Sequence, residues 1–204
     1  SRYSYIMSEK KVLTPRDIYK GSWYTYRGVD VDVPGKDPYH YEYITRTGKC
    51  DRGGVEVIPV LRKAGKLYLI VIKNFRYPIN DYCLEFPGGM IDENETVEQA
   101  AIREVWEETG YKITQIIATE KAIQVDPWKS DDTNTVVIGI IDGDAEVNQK
   151  ISLHLDATEK VDLMVIEWSE VDKKLAELRE EMKVMNSIGY FLTFKKFFNL
   201  IHKE

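Results

Sequence analysis

A short acidic segment constrains this chain more than any other feature. Residues 88–111 read GGMIDENETVEQAAIREVWEETGY. Thr96 followed by Gln99 has the form of a capping box, in which two side chains satisfy the first free N–H groups of a helix. Gly110 is a natural helix stop. The segment therefore predicts a loop followed by a helix over Val97–Thr109.

The predicted helix carries three glutamates within one turn. At 100° per residue, Glu104, Glu107 and Glu108 fall within about a 100° arc, beside an apolar arc that contains Ile102 and Val105. Carboxylates this close repel one another unless they face open water or surround a positive charge. A solvated acidic face and a divalent cation site are therefore the two alternatives. Glu104 and Glu108 lie one turn apart, and hard cations such as Mg²⁺ favour several oxygen ligands.

The spacing of the residues decides between these alternatives. The fixed positions are Gly89, Glu95 after five residues, Arg103-Glu104 after seven more, Glu107-Glu108 and Gly110. Such a set should arise by chance on the order of once in a million chains of this length. The pattern resembles the signature box of the Nudix hydrolases. It departs from that box only at the final position, where Tyr111 replaces the usual aliphatic residue.

The resemblance implies a role for each box residue. Glu104 and Glu108 would be direct metal ligands, Glu107 a ligand directly or through water, and the Gly88 carbonyl a further oxygen ligand. The cofactor would be Mg²⁺, with Mn²⁺ able to substitute.

The other box residues would support these ligands. Arg103 would orient the carboxylates and partly offset their repulsion. Glu95 would brace the loop against the helix, and Gly89 would let the backbone turn close to the metal.

Residues outside the box indicate which substrate the chain binds. Nudix enzymes cleave nucleoside diphosphates linked to another moiety, by attack of water on phosphorus. Pro127 lies sixteen residues past Tyr111, and a proline near there resembles the ADP-ribose pyrophosphatase branch; the alternative is a proline that ends a strand. The segment NFRYPINDYCLEFPGGMID (74–92) is similar to that branch, and the similarity implies that Arg76 contacts the phosphates and Met90 the substrate.

The N-terminal region also resembles this branch. KGSWYTY and YHYEYITRTG are similar to the small N-terminal domain of the eukaryotic enzymes, which implies that Trp23 and Tyr41 sandwich the adenine and that Arg46 helps to hold the substrate. Core packing is the alternative for each aromatic. The resemblance further implies a homodimer that exchanges its N-terminal domains, so that each site uses residues of both chains.

A general base is harder to identify. Glu159 matches the loop glutamate that the resemblance implies for this role, and an ordinary solvated loop residue is the alternative. Asp156 is a second candidate. None of the three histidines lies in a motif, so we expect surface or packing roles for them.

The remaining patterns predict an α/β (α+β) fold of mixed β-sheets sandwiched between helices, with a small N-terminal antiparallel β domain. The expected domains are 1–52, for dimerisation and base binding, and 53–204, the Nudix domain. Expected strands in the second domain are 55–61, 66–73, 113–123, 133–141 and 161–168. Ser169 is expected to cap a helix that reaches about Lys183, and a last helix is expected over Ser187–Ile201.

Composition excludes several classes of protein. The chain has 204 residues, 43% hydrophobic and 30% charged, and no apolar run approaches the roughly 20 residues of a membrane helix. The first residues lack a signal peptide's apolar centre, so we expect a cytoplasmic location, or a nuclear one, and no membrane partner. A net charge of −6 without a basic patch argues against nucleic acid. Cys50 and Cys83 are expected to be free thiols.

The expected function is therefore Mg²⁺-dependent hydrolysis of ADP-ribose to AMP and ribose 5-phosphate. One alternative is a broader nucleoside-diphosphate-sugar or oxidised-nucleotide pyrophosphatase. The other is a Nudix-fold sensor that binds a nucleotide without cutting it. Such binders usually lose box glutamates, and this chain keeps all four.

Overall fold

The chain forms two compact units. The computed structural model describes residues 11–48, 53–155 and 161–202. The smaller unit contains the described residues up to Gly53 together with residues 122–134. The larger unit contains residues 54–121 and the described residues from 135 onward. The expected domain boundary at residue 52 lies next to the end of the smaller unit, but the sequence patterns did not indicate that residues 122–134 join it.

The smaller unit is built on an antiparallel sheet. Its strands are β1 (Lys11–Val12), β2 (Arg16–Lys20), β3 (Tyr24–Asp32) and β4 (Tyr39–Arg46). Strand β3 is central, with β4 on one edge and β1 and β2 on the other. The N–H of Ile44 on β4 donates to the Lys129 carbonyl at 2.9 Å, which joins residues 122–134 to this sheet. The buried cluster of this unit is small: Val29, Val31 and Val33, with Tyr43 packed against them.

The larger unit contains a mixed sheet and three helices. The strands are β5 (Gly54–Lys63), β6 (Lys66–Arg76), β7 (Asp81–Glu85), β8 (Gly88–Met90), β9 (Gln115–Gln124), β10 (Thr133–Asp142), β11 (Val161–Glu167) and β12 (Lys183–Val184). The helices are α1 (Val97–Thr109), α2 (Val171–Glu181) and α3 (Asn186–Ile201). Strand β12 runs parallel to β7, whereas β6 is antiparallel to β5, β7 and β11. Strands β9 and β10 are neighbours in the sheet. The end of β9, the start of β10 and the residues between them, 122–134, belong to the smaller unit.

Strand β6 shows how the sheet separates two cores. Because successive side chains of a strand point to opposite faces, Ile70 packs in the cluster that contains Val105 of α1. Its neighbours Leu69 and Val71 pack in the cluster that contains residues of α2 and α3, such as Leu175. The sheet thus lies between α1 on one face and α2 and α3 on the other, which confirms the predicted fold class. None of the helices in the described ranges is long and apolar enough to span a membrane.

The expected cap of the second helix was wrong. Helix α2 begins at Val171, after a 3₁₀ turn over Trp168–Glu170, and Glu170 holds the N-cap position without a side-chain cap. Ser169 lies inside the turn, and its hydroxyl donates to Glu167 Oε1 at 3.3 Å. The tighter turn moves the start of the helix past the serine, so the hydroxyl is no longer placed to accept from the helix N–H groups.

Candidate active site

Helix α1 starts and ends where the sequence predicts. The Gln99 N–H donates to Thr96 Oγ1 at 3.1 Å, and the Thr96 N–H donates to Gln99 Oε1 at 2.8 Å. At the other end Gly110 adopts a left-handed conformation, φ 74°, and its N–H donates to the Trp106 carbonyl at 2.9 Å. Both ends are therefore set by local chemistry, which places the glutamates on a helix of defined length.

Arg103 lies at the centre of the acidic cluster. Its Nε and Nη2 donate to the two carboxylate oxygens of Glu95, at 3.1 and 2.6 Å. Its Nη1 donates to Glu104 at 2.7 Å and to Glu107 at 3.1 Å, and Nη2 also donates to the Met90 carbonyl at 3.0 Å. Hydrogen bonding to Glu95, followed by that to Glu104, raises the pKa of the guanidinium. The guanidinium of Arg103 therefore binds three carboxylates and joins the segment before α1, through Met90 and Glu95, to the helix.

The fourth box glutamate is held separately. The Gly88 N–H donates to Glu108 Oε2 at 2.9 Å, and Glu108 is only 5% exposed. Gly89 allows a close approach on the other side: a Cβ added there would lie 2.2 Å from Glu104 Oε1. Only a glycine at this position leaves the Glu104 carboxylate room against the backbone.

The donor chemistry of this region fits a hard divalent cation. The available ligands are all oxygens, from Glu104 and Glu108 on adjacent turns, from Glu107, and from the Gly88 carbonyl. Among the described residues, no three acidic, histidine or cysteine side chains converge as a complete cage. Two of these carboxylates, Glu104 and Glu107, accept hydrogen bonds from Arg103. The site therefore suits a cation such as Mg²⁺, which retains waters and shares phosphate oxygens with its substrate.

Arg76 lies at the end of β6 and is held by a residue that sequence analysis missed. Its Nε and Nη2 donate to the two carboxylate oxygens of Glu85, at 2.7 and 2.6 Å. The Glu85 side chain is 3% exposed, whereas that of Arg76 is 49% exposed. The hydrogen bond to Glu85 raises the pKa of the Arg76 guanidinium against the opposing effect of burial, and the charges of Glu85 and Glu108 raise it further.

Two buried glutamates had a sequence signal that could have identified them. Glu85 stands in YCLEFPGG and Glu56 in VEVIPVL, each a single charge within an apolar run. Glu56 is opposite Gly88 in the β5–β8 pairing. Burial raises the pKa of its carboxyl group, and the charge of Glu85 adds to the effect. A charge in an apolar strand needs a compensating partner or a raised pKa, so it marks a site worth testing.

The predicted base-binding residues belong to the smaller unit. Trp23 lies between β2 and β3 and is 79% exposed, so the core-packing alternative is wrong for this residue. The Tyr41 hydroxyl donates to the Trp128 carbonyl, and Arg46 Nε donates to Asp132 Oδ1 at 3.1 Å. These two contacts tie β4 to residues 122–134.

Residues 122–134 also contain Pro127, which sequence analysis singled out. Pro127 lies in a tight turn in which the N–H groups of Lys129 and Ser130 both donate to the Asp126 carbonyl at 2.9 Å. It therefore follows the last residue of β9, Gln124, without ending the strand itself.

The residues proposed as general base, Glu159 and Asp156, lie outside the described residues. The chain that leads to them is anchored on α1. The His154 ring stacks on Trp106 with centroids 3.8 Å apart, and the His154 N–H donates to the Glu107 carbonyl at 2.9 Å. His154 is thus an exposed residue that packs on Trp106, within the surface or packing role that the sequence predicted. Cys83 is a buried free thiol whose pKa burial raises to about 11, while Cys50 also lies outside the described residues.

Fold and site together define a class of protein. The family model of the NUDIX domain matches residues 51–192. The chain belongs to the Nudix family, as the signature box predicted.

Three similar proteins indicate which members of the Nudix family this chain resembles. The chain is 34% identical over 173 residues to "Putative nudix hydrolase 2" of Caenorhabditis elegans, covering 83% of this chain and 78% of the relative. It is 38% identical over 131 residues to "ADP-sugar pyrophosphatase" of Mus musculus, covering 62% and 59%. It is 27% identical over 191 residues to "ADP-ribose pyrophosphatase" of Saccharomyces cerevisiae, covering 90% and 79%.

A solved structure supports the same fold. The chain is similar to the crystal structure of an ADP compounds hydrolase with a TM-score of 0.68 and 21% identity, covering 85% of this chain and 86% of the other. At this identity the similarity establishes the fold.

Proposed function

We propose that this chain hydrolyses the pyrophosphate bond of ADP-ribose, with Mg²⁺ as cofactor, to AMP and ribose 5-phosphate. The observation that carries the proposal is the acidic box: Glu108 accepts from the Gly88 N–H, Glu104 lies against Gly89, and Arg103 binds both Glu104 and Glu107. The names of the mouse and yeast relatives supply the substrate class.

The box and Arg76 would divide the chemical work. Glu104, Glu107, Glu108 and the Gly88 carbonyl would hold the cation, with Arg103 keeping the carboxylates in place. When bound, Mg²⁺ would supply Lewis-acid stabilisation of the diphosphate and activate the attacking water, and Mn²⁺ would be able to substitute. Arg76 would bind the diphosphate oxygens, for which a guanidinium fork is suited.

Proton transfer needs a base within reach of the water. Glu159 is the residue we propose, with Asp156 as the alternative, and it would accept the proton as water attacks phosphorus. One P–O bond forms and the bridging P–O bond breaks, giving two monophosphates. His154, whose N–H binds the Glu107 carbonyl, lies beside the box and two residues before Asp156, which supports a base from this part of the sequence.

The smaller unit would select the base. Trp23 and Tyr41 would stack on the adenine, Arg46 would contact the substrate, and Met90 would contact it from β8. The exposed indole of Trp23 supports this role, because a 79% exposed tryptophan contributes little to its own unit's core. The assembly would be a homodimer in which the N-terminal domain, residues 1–52, provides dimerisation and base binding, in the cytoplasm or the nucleus.

Steady-state kinetics across substrates tests the proposal. The purified full chain would be assayed with Mg²⁺ on ADP-ribose, other nucleotide sugars, diadenosine compounds and oxidised nucleotides. We expect kcat/KM for ADP-ribose to exceed the others by about tenfold or more, the lower end of the discrimination that substrate pockets achieve. Equal values would support the broad pyrophosphatase instead, and tight binding without turnover would support the sensor.

A further inference from the structure

Glu85 is a buried carboxylate that binds a guanidinium. It is the last residue of β7, between Leu84 and Phe86, which are 0% and 3% exposed. Removing a carboxylate from water is costly unless a cation and hydrogen bonds compensate for the lost hydration. Arg76 supplies both, through bonds of 2.7 and 2.6 Å.

The geometry of this pair leaves one edge of the guanidinium available. A guanidinium has five N–H groups arranged on a rigid plane. Glu85 takes the edge formed by Nε and Nη2. Among the described residues, Nη1 of Arg76 has no hydrogen-bond acceptor. The adjacent edge, formed by Nη1 and the second N–H of Nη2, thus retains two parallel donors, the arrangement that binds two phosphate oxygens.

Arg76 is close enough to the acidic box for the charge of Glu108 to act on it. Glu85 precedes Gly88 by three residues, and the Gly88 N–H binds Glu108. After the hydrogen bond to Glu85, the charges of Glu85 and Glu108 both act on Arg76. Half of the Arg76 side chain is accessible, so a ligand can reach it.

We propose that Glu85 is a positioning residue for diphosphate recognition, which fixes Arg76 by one edge so that its other edge binds two phosphate oxygens. The assignment of Arg76 to the substrate rests on the proposed function. The advantage of the arrangement is preorganisation. A long, half-exposed arginine would otherwise lose side-chain freedom when the ligand binds, and the clamp to Glu85 removes that cost beforehand.

A double-mutant cycle tests whether Glu85 acts through Arg76. The probe is methylenediphosphonate with Mg²⁺, measured by calorimetry, because its P–C–P linkage cannot be hydrolysed. The variants are Glu85→Gln, Arg76→Ala and the double variant, each checked by circular dichroism. Parallel assays measure KM and kcat for ADP-ribose.

We expect Arg76→Ala to weaken diphosphonate binding roughly ten- to a hundredfold, the range for hydrogen bonds to charged groups. Glu85→Gln should weaken it about three- to tenfold, since a neutral amide accepts fewer and weaker bonds from the guanidinium. In the Arg76→Ala background, Glu85→Gln should change affinity by less than about twofold. With ADP-ribose, KM should rise more than kcat falls. An equal loss in both backgrounds would overturn the proposal, as would wild-type affinity no greater than that of Arg76→Ala.

Two further variants separate positioning from a general structural effect. Glu56→Gln removes another buried glutamate, on the adjacent part of the sheet, and its effect should be additive with that of Arg76→Ala. If Glu85→Gln does not fold, Glu85→Asp keeps the buried charge while shortening its reach. It should then weaken binding in the wild-type background and leave Arg76→Ala unchanged; a loss in both would reject the clamp. Failure of the wild type to hydrolyse ADP-ribose would reject the proposed substrate alone, because the calorimetric cycle does not use it.

Discussion

The backbone N–H of Gly88 donates a 2.9 Å hydrogen bond to Oε2 of Glu108. It orients a carboxylate that is 5% exposed and that we propose as a metal ligand. Glu108→Gln keeps the shape and an acceptor for this N–H but removes the charge. We expect the variant to fold and to lose at least about 10²-fold in kcat, typical of an important electrostatic group.

Glu98→Gln, in the first turn of the same helix, is the matched control and should keep near-normal kcat. The decisive measurement is a Mg²⁺ titration of both variants. Wild-type turnover by Glu108→Gln at limiting Mg²⁺ would show that this carboxylate is not a ligand.

Gly89 provides a second test of the site, based on space. A Cβ at this position would lie 2.2 Å from Glu104 Oε1 and 2.5 Å from Cδ, so Gly89→Ala must displace the Glu104 carboxylate. We expect a folded protein whose kcat falls about 10-fold or more, because small misplacements of catalytic groups are costly. Gly189→Ala is the control, since among the described residues no atom beyond its own stretch of helix lies within 4 Å of the added Cβ. Equal kcat for the two variants would contradict the importance of this close approach.

Arg103 should be needed for stability chiefly when no divalent cation is bound. It is the cation shared by Glu95, Glu104 and Glu107, so Arg103→Gln leaves the carboxylates facing one another. We expect a loss of about 1–3 kcal/mol in the free energy of unfolding in EDTA, the range for losing hydrogen bonds to a charged group. Mg²⁺ binds the native state and stabilises it. In the variant it also offsets the carboxylate repulsion that Arg103 offsets in the wild type, so Mg²⁺ should raise Tm more in the variant. Thermal melts with and without Mg²⁺ measure both effects, and an identical Mg²⁺ response would contradict the prediction.

Trp23 should contribute to substrate affinity. Stacking on the adenine is formed equally in the ground and transition states, so Trp23→Ala should raise KM for ADP-ribose more than it lowers kcat. The expected size is about 1–3 kcal/mol, the usual range for base–aromatic stacking. Tyr19→Ala removes another exposed ring from the same unit and should leave KM near the wild-type value. An unchanged KM in folded Trp23→Ala would remove this residue from the base site.

Subunit complementation tests the proposed exchange across a homodimer. Trp23→Ala/Tyr41→Ala subunits and Glu108→Gln subunits should each have low activity at a substrate concentration below KM. In a mixed dimer, one site would combine intact carboxylates from one chain with intact aromatics from the other. We therefore expect activity to return on mixing, once native mass spectrometry confirms that subunits have exchanged. Mixed dimers without recovered activity would place the aromatics and the carboxylates on the same chain.

Local chemistry made much of the catalytic segment predictable from the sequence. The bounds of α1 follow from the Thr96–Gln99 capping box and from Gly110, residues that act within a few positions of one another. The fixed spacing of the box identified the family before any contact was known. Strands β5 and β6 were similarly predictable, because two apolar runs flank a turn that ends in Gly65. The first residue of α2 was less predictable, because a 3₁₀ turn competes with a serine cap over the same few residues.

The sequence by itself thus determined the acidic helix, its caps and the class of protein, because those depend on residue type and short spacing. Only the tertiary structure decided which charge meets which. Glu85 and Arg76 lie on separate strands, and their contact depends on the β6–β7 register and on burial of the carboxylate. Likewise, Arg46 meets Asp132 across 86 residues of chain. Such pairings arise when strands align over long separations, and that alignment is set by the packing of the whole sheet, which no local pattern encodes.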